Sequence, residues 1–236
     1  MIAALTQVVA FRNQILRGLP RENHQRLFSN LKLVNLAAHQ VLYHPEDNIR
    51  AIYFINHGMA SLLSITAEGD SIEVGNVGKE GLVGVPVILR QVKTPYQIVM
   101  RVPGNAWMIS AEIFKQESEK QGELKDRLLA YTHALATYMS QLGVCNHFHT
   151  LDKRLCRWLL TASYQVQSET LQLTHEALSH VLGTGRTGVT MAANRLQKSG
   201  LIRYNRGQIS ILDRAGMLTI SCACYQICKE IFEHLL

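Results

Sequence analysis

From Leu33 to about Ser110 short apolar, β-branched runs alternate with turn residues. QVLYH, AIYFINHG, MASLLSIT, SIEVGNVG, QIVMRVPG and AWMIS are separated by HPED, NHG, AEGD, VGKEG and VPG. Many short strands at such spacing predict an all-β sandwich or barrel. Upstream, the first thirty residues read as helical. LPRENHQRLFSNL sets Leu19, Leu27 and Leu31 near one face, with Pro20 suited to a helix start.

Downstream the period changes. Between Ala111 and Asn146 there is no proline, and glycine occurs only at 122 and 143. Leu124, Leu128, Tyr131, Leu135, Tyr138, Leu142 and Cys145 follow spacings of 4, 3, 4, 3, 4, 3. A seam this regular predicts a dimerisation helix; a helix buried against its own domain shows a similar but broader stripe. TLDKRLCRWLLTASYQV predicts a second helix with Leu155, Trp158, Leu159 and Ala162 inward, followed by a turn and a short strand in SETLQLT.

The run LTHEALSHVLGTGRTGVTMAANRLQKSGLIRY then places two short amphipathic helices around a glycine-rich turn. Thr174 suits the N-cap of the first, Ala177, Leu178, Val181 and Leu182 its buried face, and Gly183 its left-handed end. The second starts near Gly185, with Val189, Ala192, Ala193 and Leu196 inward. Ile202 and Tyr204, then Ile209 and Ile211, alternate around a turn at Asn205–Gly207 and predict a hairpin. Helix, tight turn, helix and hairpin make a winged helix-turn-helix, whose second helix fits a DNA major groove.

Charge sharpens that reading. The 236-residue chain carries a net charge of +6. Residues 150–236 hold ten basic and six acidic side chains, against fourteen and twelve before them. No acidic residue lies between Gly183 and Leu212, where Arg186, Arg195, Lys198, Arg203 and Arg206 stand. Phosphates repel carboxylates and attract Lys and Arg, so double-stranded DNA is the expected partner. Arg186, in the first turn of the second helix, is placed to meet the two acceptors of a guanine edge. Thr187, Thr190 and Asn194 share its outward face, and Arg203 and Arg206 lie on the wing.

No apolar run reaches the length of a membrane span, and the start lacks the basic n-region of a signal peptide. Five cysteines without the spacing of a secreted scaffold point to reduced thiols and a cytoplasmic protein without membrane association.

LTHEALSHVLGTGRTGVTMAANRLQKSGLIRYNRGQISILDR resembles the DNA-binding half of the Crp/Fnr regulators. The resemblance extends over nearly the whole chain, through the GKEGLVGVPVIL segment, the long helix and the terminal winged helix. It is closest to a branch with LQxxGLIxYxRGxIxILDR and a final CxCY, here Cys222-Ala223-Cys224-Tyr225. The implied fold is α+β: a double-stranded β-helix sensor (a cyclic-nucleotide-binding-like jelly roll) over 1–110, a dimerisation helix over 111–149, and a winged helix-turn-helix over 150–236. The implied function is a homodimeric regulator, not an enzyme, that reads a two-fold symmetric site through helix 185–198 and recruits or blocks RNA polymerase. By the same resemblance Arg186 matches the guanine-reading arginine, and Thr174 and His175 match phosphate-contacting positions. Thr187 stands where many members have glutamate and Met191 where some have a second arginine, so the half-site is not inherited.

The resemblance also implies an effector pocket, but its chemistry differs here. Gly84 is kept. The ribose-binding glutamate is replaced by Val85, and the phosphate-binding Arg-Ser pair aligns with Pro95-Tyr96. Arg90, Lys93 and Arg101 are basic residues nearby. No cofactor is expected, cyclic AMP included. Cysteine-rich groups offer an alternative, a metal- or redox-responsive regulator using Cys145, His147, His149 and Cys156, or Cys222, Cys224 and Cys228. Lone helical cysteines are mostly small buried hydrophobes, and iron–sulfur members carry their cysteines near the N-terminus, so no metal is assigned. A β-barrel metal enzyme is remote. His39, His44 and His57 lack ligand spacing, and no nucleophile elbow, P-loop or HExxH occurs.

Overall fold

The computed structural model describes residues 11–233. Residues 1–10, where the expected N-terminal helix would begin, and 234–236 lie outside them. The described start is two short helices, α1 (Gln14–Arg17) and α2 (Gln25–Ser29), with a 3-10 turn between them. Leu19 and Leu27 are buried as expected. Pro20 caps the 3-10 turn rather than opening an α-helix.

The β-region forms a six-stranded antiparallel sheet, β1 (Lys32–Leu36), β2 (Val41–Tyr43), β3 (Ala51–Ile65), β4 (Ser71–Val77), β5 (Leu82–Val83) and β6 (Gln97–Ser110). Its path is β1-β6-β3-β4, with β2 on β6 and β5 on β3. Two expected turns are absent. Residues 56–58 and 102–104 do not break the chain into four strands; β3 and β6 run through them and pair along their length. The register instead shifts at Ile55/His57, His57/Met59 and Met59/Ala60. Such bulges bend a long strand pair so that one ribbon supplies both layers of a roll. The turn residues thus encode a bend, and the ladder survives them.

The long helical segment is also divided. Helix α4 (Ala111–Ser118) starts at Ser110, whose hydroxyl accepts from the Ile113 N–H at 3.3 Å. A break ending at Gly122 precedes α5 (Glu123–Phe148). The expected seam then changes meaning. Leu124, Leu128, Tyr131, Leu135, Tyr138, Leu142 and Cys145 are all buried within their own chain, each no more than 5% exposed. All but Cys145 belong to the core of the β-roll. They are therefore not available to a partner. The broad sheet and helix α10 (Cys224–Glu233) supply the intrachain neighbours that the linear order did not disclose.

Helix α6 (Leu151–Val166), strand β7 (Thr170–Gln172), helices α7 (His175–Leu182) and α8 (Arg186–Lys198), strands β8 (Ile202–Asn205) and β9 (Gln208–Ile211), and helix α9 (Arg214–Ile220) complete the order. The strands form a three-stranded sheet, β7-β9-β8, the wing. Leu155, Trp158, Leu159 and Ala162 share one core with Leu178, Val181, Leu182, Val189, Ala192, Ala193 and Leu196 of the two short helices, and Ala177 is buried beside it. Met59 and Val102 of the roll enter that core, so α6 is seated on the sheet. Among the described residues no helix is long and apolar enough to cross a membrane.

Candidate nucleic-acid interface

Thr174 caps α7 by accepting from the Ala177 N–H at 3.0 Å. Gly183 ends that helix at φ +56°. A β-carbon there would sit 2.7 Å from Ile72 Cδ1 on β4, so the glycine serves both the left-handed turn and its seat on the roll. Ser71 and His180 Nδ1, 3.0 Å apart, join the same contact. Gly185 and Gly188, the other glycines of this turn, have negative φ. Helix α8 then presents Arg186, Thr187 and Asn194 to solvent, with Met191 53% exposed beside them. Arg203 and Arg206 are exposed on the wing.

Two of the expected contact residues, and one arginine of the basic run, have other work. The His175 ring is buried, 2.9 Å from Thr190 Oγ1 and stacked on Tyr204 with centroids 4.1 Å apart. Burial, with the Arg186 charge nearby, lowers its pKa and so favours the neutral ring. The ring thus packs α7 against α8 and the wing, and its Nε2 has no partner within the chain. Thr190 Oγ1 also donates to the Arg186 carbonyl at 3.0 Å, so its hydroxyl is engaged within the domain. Arg195 makes a two-pronged pair with Asp152 of α6, at 2.8 and 2.6 Å. That arginine, counted in the basic run, ties α8 to α6. No local pattern points to this partner, which lies forty-three residues away.

The roll and α5 form a half-open cavity of about 540 Å³. Gly84, Val85, Lys93, Tyr96 and Met139 line it, within a mainly aliphatic wall. Gly84 has φ +116°, and a β-carbon there would strike Ile52 Cδ1 at 2.3 Å. It opens α3 (Val85–Ile88), a single turn whose second residue, Pro86, has no N–H to offer an anion. Lys93 Nζ lies 3.5 Å from Glu46, which lines the same cavity and offsets its charge. Arg90 is not in the lining. Its side chain is 80% exposed and 4.0 Å from Glu119. Arg101 is buried elsewhere, in the lining of a separate cavity with His39 and His180.

The cysteines regroup. Cys156, Cys228 and His147 fall outside the cluster that forms. Cys145, His149, Cys222 and Cys224 bring their ligand atoms within 4.8 Å of one another, one pair from each expected group. Cys145 and Cys222 Sγ are 3.5 Å apart. Their mutual hydrogen bond lowers the pKa of Cys222 and raises that of Cys145. All five cysteines are free thiols.

Comparison with known proteins agrees with this architecture. Residues 33–121 match the cyclic nucleotide-binding domain and residues 153–220 the Crp-like helix-turn-helix domain. A transcriptional regulator of the Crp/Fnr family from Eubacterium rectale superposes with a TM-score of 0.67 at 20% identity, covering 89% of this chain and 98% of that one. FixK2 from Bradyrhizobium japonicum gives 0.69 at 12% identity, covering 82% and 98%. The regulator CLP from Xanthomonas campestris, described as c-di-GMP responsive, gives 0.62 at 14% identity, covering 82% and 100%. No curated protein matches the sequence.

Proposed function

The chain belongs to the Crp/Fnr family of transcriptional regulators, and on that premise we propose that it binds a two-fold symmetric DNA site as a homodimer, through α8 and the wing. One observation carries the reading. The exposed first turn of α8, with Arg186 and Thr187, and the exposed wing arginines Arg203 and Arg206 belong to one acid-free stretch from Gly183 to Leu212. An arginine in the first turn of such a helix matches a guanine edge, while wing arginines match phosphates. Family membership supports RNA polymerase as a protein partner and the cytoplasm as the place of action.

The dimer contact belongs on the face of α5 opposite its buried stripe. Leu129 is 48% and Val144 46% exposed there, and the small residues Ala136, Ser140 and Gly143 lie between them. Spacings along Leu129, His133, Ala136, Ser140 and Gly143 are 4, 3, 4 and 3, a second heptad stripe that lets two helices approach closely.

The cavity supports a small, largely apolar effector and argues against a cyclic nucleotide. A cyclic phosphate needs a cation and several N–H donors to leave water. Here Val85, Pro95 and Tyr96 stand where those partners would be, Pro86 offers no N–H, and Lys93 is paired with Glu46. Because α5 forms one wall, a ligand there would press on the proposed dimer helix.

Titration of labelled DNA at several salt concentrations tests the DNA reading. Arg203→Ala and Arg206→Ala should each weaken binding to all sequences and reduce the salt slope by roughly one. Arg195→Ala should leave the slope unchanged, because that guanidinium is held by Asp152. Salt-independent binding, or none, would overturn the reading.

A further inference from the structure

Helix α5, the α5–α6 joint and the segment between α9 and α10 converge on a single point. Cys145 comes from the last turn of α5, His149 from the joint, Cys222 from the connection and Cys224 from the start of α10. Besides the 3.5 Å separation of Cys145 and Cys222, Cys224 Sγ lies 3.5 Å from His149 Nδ1. A tetrahedral ion with metal–sulfur bonds near 2.3 Å and metal–nitrogen bonds near 2.0 Å has ligand–ligand edges of about 3.5–3.8 Å. Two edges already have that length, and none of the other pairs exceeds 4.8 Å. Closing the remainder asks for about 1 Å of side-chain movement at most, a rotamer adjustment rather than a backbone change.

We propose that Cys145, His149, Cys222 and Cys224 form a closed four-ligand site for one soft divalent cation of the zinc class. The donor set fits the ion: three thiolates and an imidazole select zinc over the hard cations that prefer oxygen. Four protein ligands leave no open position, which assigns a structural rather than a catalytic role. The surroundings fit the charge. Three thiolates, a neutral imidazole and a divalent ion sum to −1. Arg157, 3% exposed with Nε and Nη1 unpartnered, has Cys145 among its ionisable neighbours and supplies the counter-charge. Gln141 Nε2 donates to Cys224 Sγ at 3.1 Å, a supporting contact that orients a ligand. The other two cysteines mark the boundary: Cys156 faces Met217 at 3.8 Å, and Cys228 belongs to the roll's core.

Occupied, the site ties the end of the long helix to the first turn of α10 and fixes the two-residue joint from which α6 departs. The DNA-binding unit is thereby held to the sensor at a second place besides the sheet contact. Metal binding does not depend on the DNA reading, and its test needs no DNA.

The test is a cobalt titration of the full chain, purified under reductant and freed of metal by a chelator. One equivalent of Co²⁺ should produce intense visible ligand-field bands and a near-ultraviolet thiolate-to-cobalt band, both erased by one equivalent of Zn²⁺. Cys222→Ser and Cys224→Ser should weaken cobalt binding at least tenfold, while Cys156→Ser and Cys228→Ser keep the wild-type affinity and spectrum. Circular dichroism of each protein confirms folding before titration. The proposal is overturned if folded wild-type protein shows no thiolate-to-cobalt band, or if the band survives unweakened in Cys222→Ser/Cys224→Ser. It is overturned equally if mass spectrometry of protein isolated without reductant or chelator finds no bound metal and a Cys145–Cys222 disulfide.

Discussion

The indole N–H of Trp158 on α6 donates to Glu73 Oε1 on β4 at 2.9 Å, with both side chains buried. Glu73 also accepts from Ser61 and, at 3.0 Å, from Asn76, whose amide donates to Tyr138 of α5 at 2.6 Å. One carboxylate thus joins the sensor sheet, the long helix and the DNA-binding unit. Burial raises its pKa, opposed by those hydrogen bonds and by the charges of Arg157 and Arg101. Sliding α6 off the sheet would leave it short of a donor.

Trp158→Phe keeps most of the apolar body and removes that donor. A buried acceptor left without its partner costs about 1–3 kcal/mol, so the variant should unfold at correspondingly lower urea concentration. An unchanged midpoint would show that the contact between the domains does not depend on this hydrogen bond.

The two faces of α5 should respond differently. Leu135→Asp places a charge in the roll's core and should lower folding stability by more than about 3 kcal/mol. Leu129→Asp or Val144→Asp changes an exposed side chain. Each should keep the monomer folded by circular dichroism and shift sedimentation toward the monomer. A folded Leu135→Asp protein that is merely monomeric would return the seam to the buried stripe.

Regularity made this stripe misleading. A heptad seam and a helix pressed into its own sheet obey the same 3.5-residue arithmetic, and only the partner distinguishes them. The winged helix was legible because caps, turns and alternation are local: Thr174, Gly183 and the 202–211 hairpin stand where their neighbours put them. The bend in β3 was not, since a bulge and a turn use the same His-Gly chemistry. Side chains that act across the chain were hidden for a like reason. Nothing near Arg195 announces Asp152, and nothing near Cys145 announces Cys222.

His175 gives a pH signature. Its pKa is lowered in the folded protein, so the native state binds fewer protons than the unfolded one below the usual imidazole value of about 6.5. The associated stability is full above that value and is lost as pH falls through the folded pKa. Wild-type melting temperature should therefore drop more steeply between pH 7 and 5 than that of His175→Phe, which keeps a ring on Tyr204. Parallel curves would mean that His175 titrates normally.

Isothermal titration should detect no cyclic AMP or cyclic GMP binding at micromolar concentrations. Each missing charged or hydrogen-bonded partner is worth about 1–3 kcal/mol, and three are missing, which amounts to several powers of ten in affinity. A low-micromolar dissociation constant would require Lys93 to leave Glu46 for the phosphate.

Selection of bound duplexes from a random pool tests directly whether α8 reads bases. The wild-type chain should enrich a two-fold symmetric motif with a guanine in each half-site. Arg186→Ala should lose about 1–3 kcal/mol per half-site on that motif, and less on random DNA, with the preference for guanine relaxed. Enrichment of no motif, or an Arg186→Ala protein weakened equally on selected and random DNA, would contradict the account.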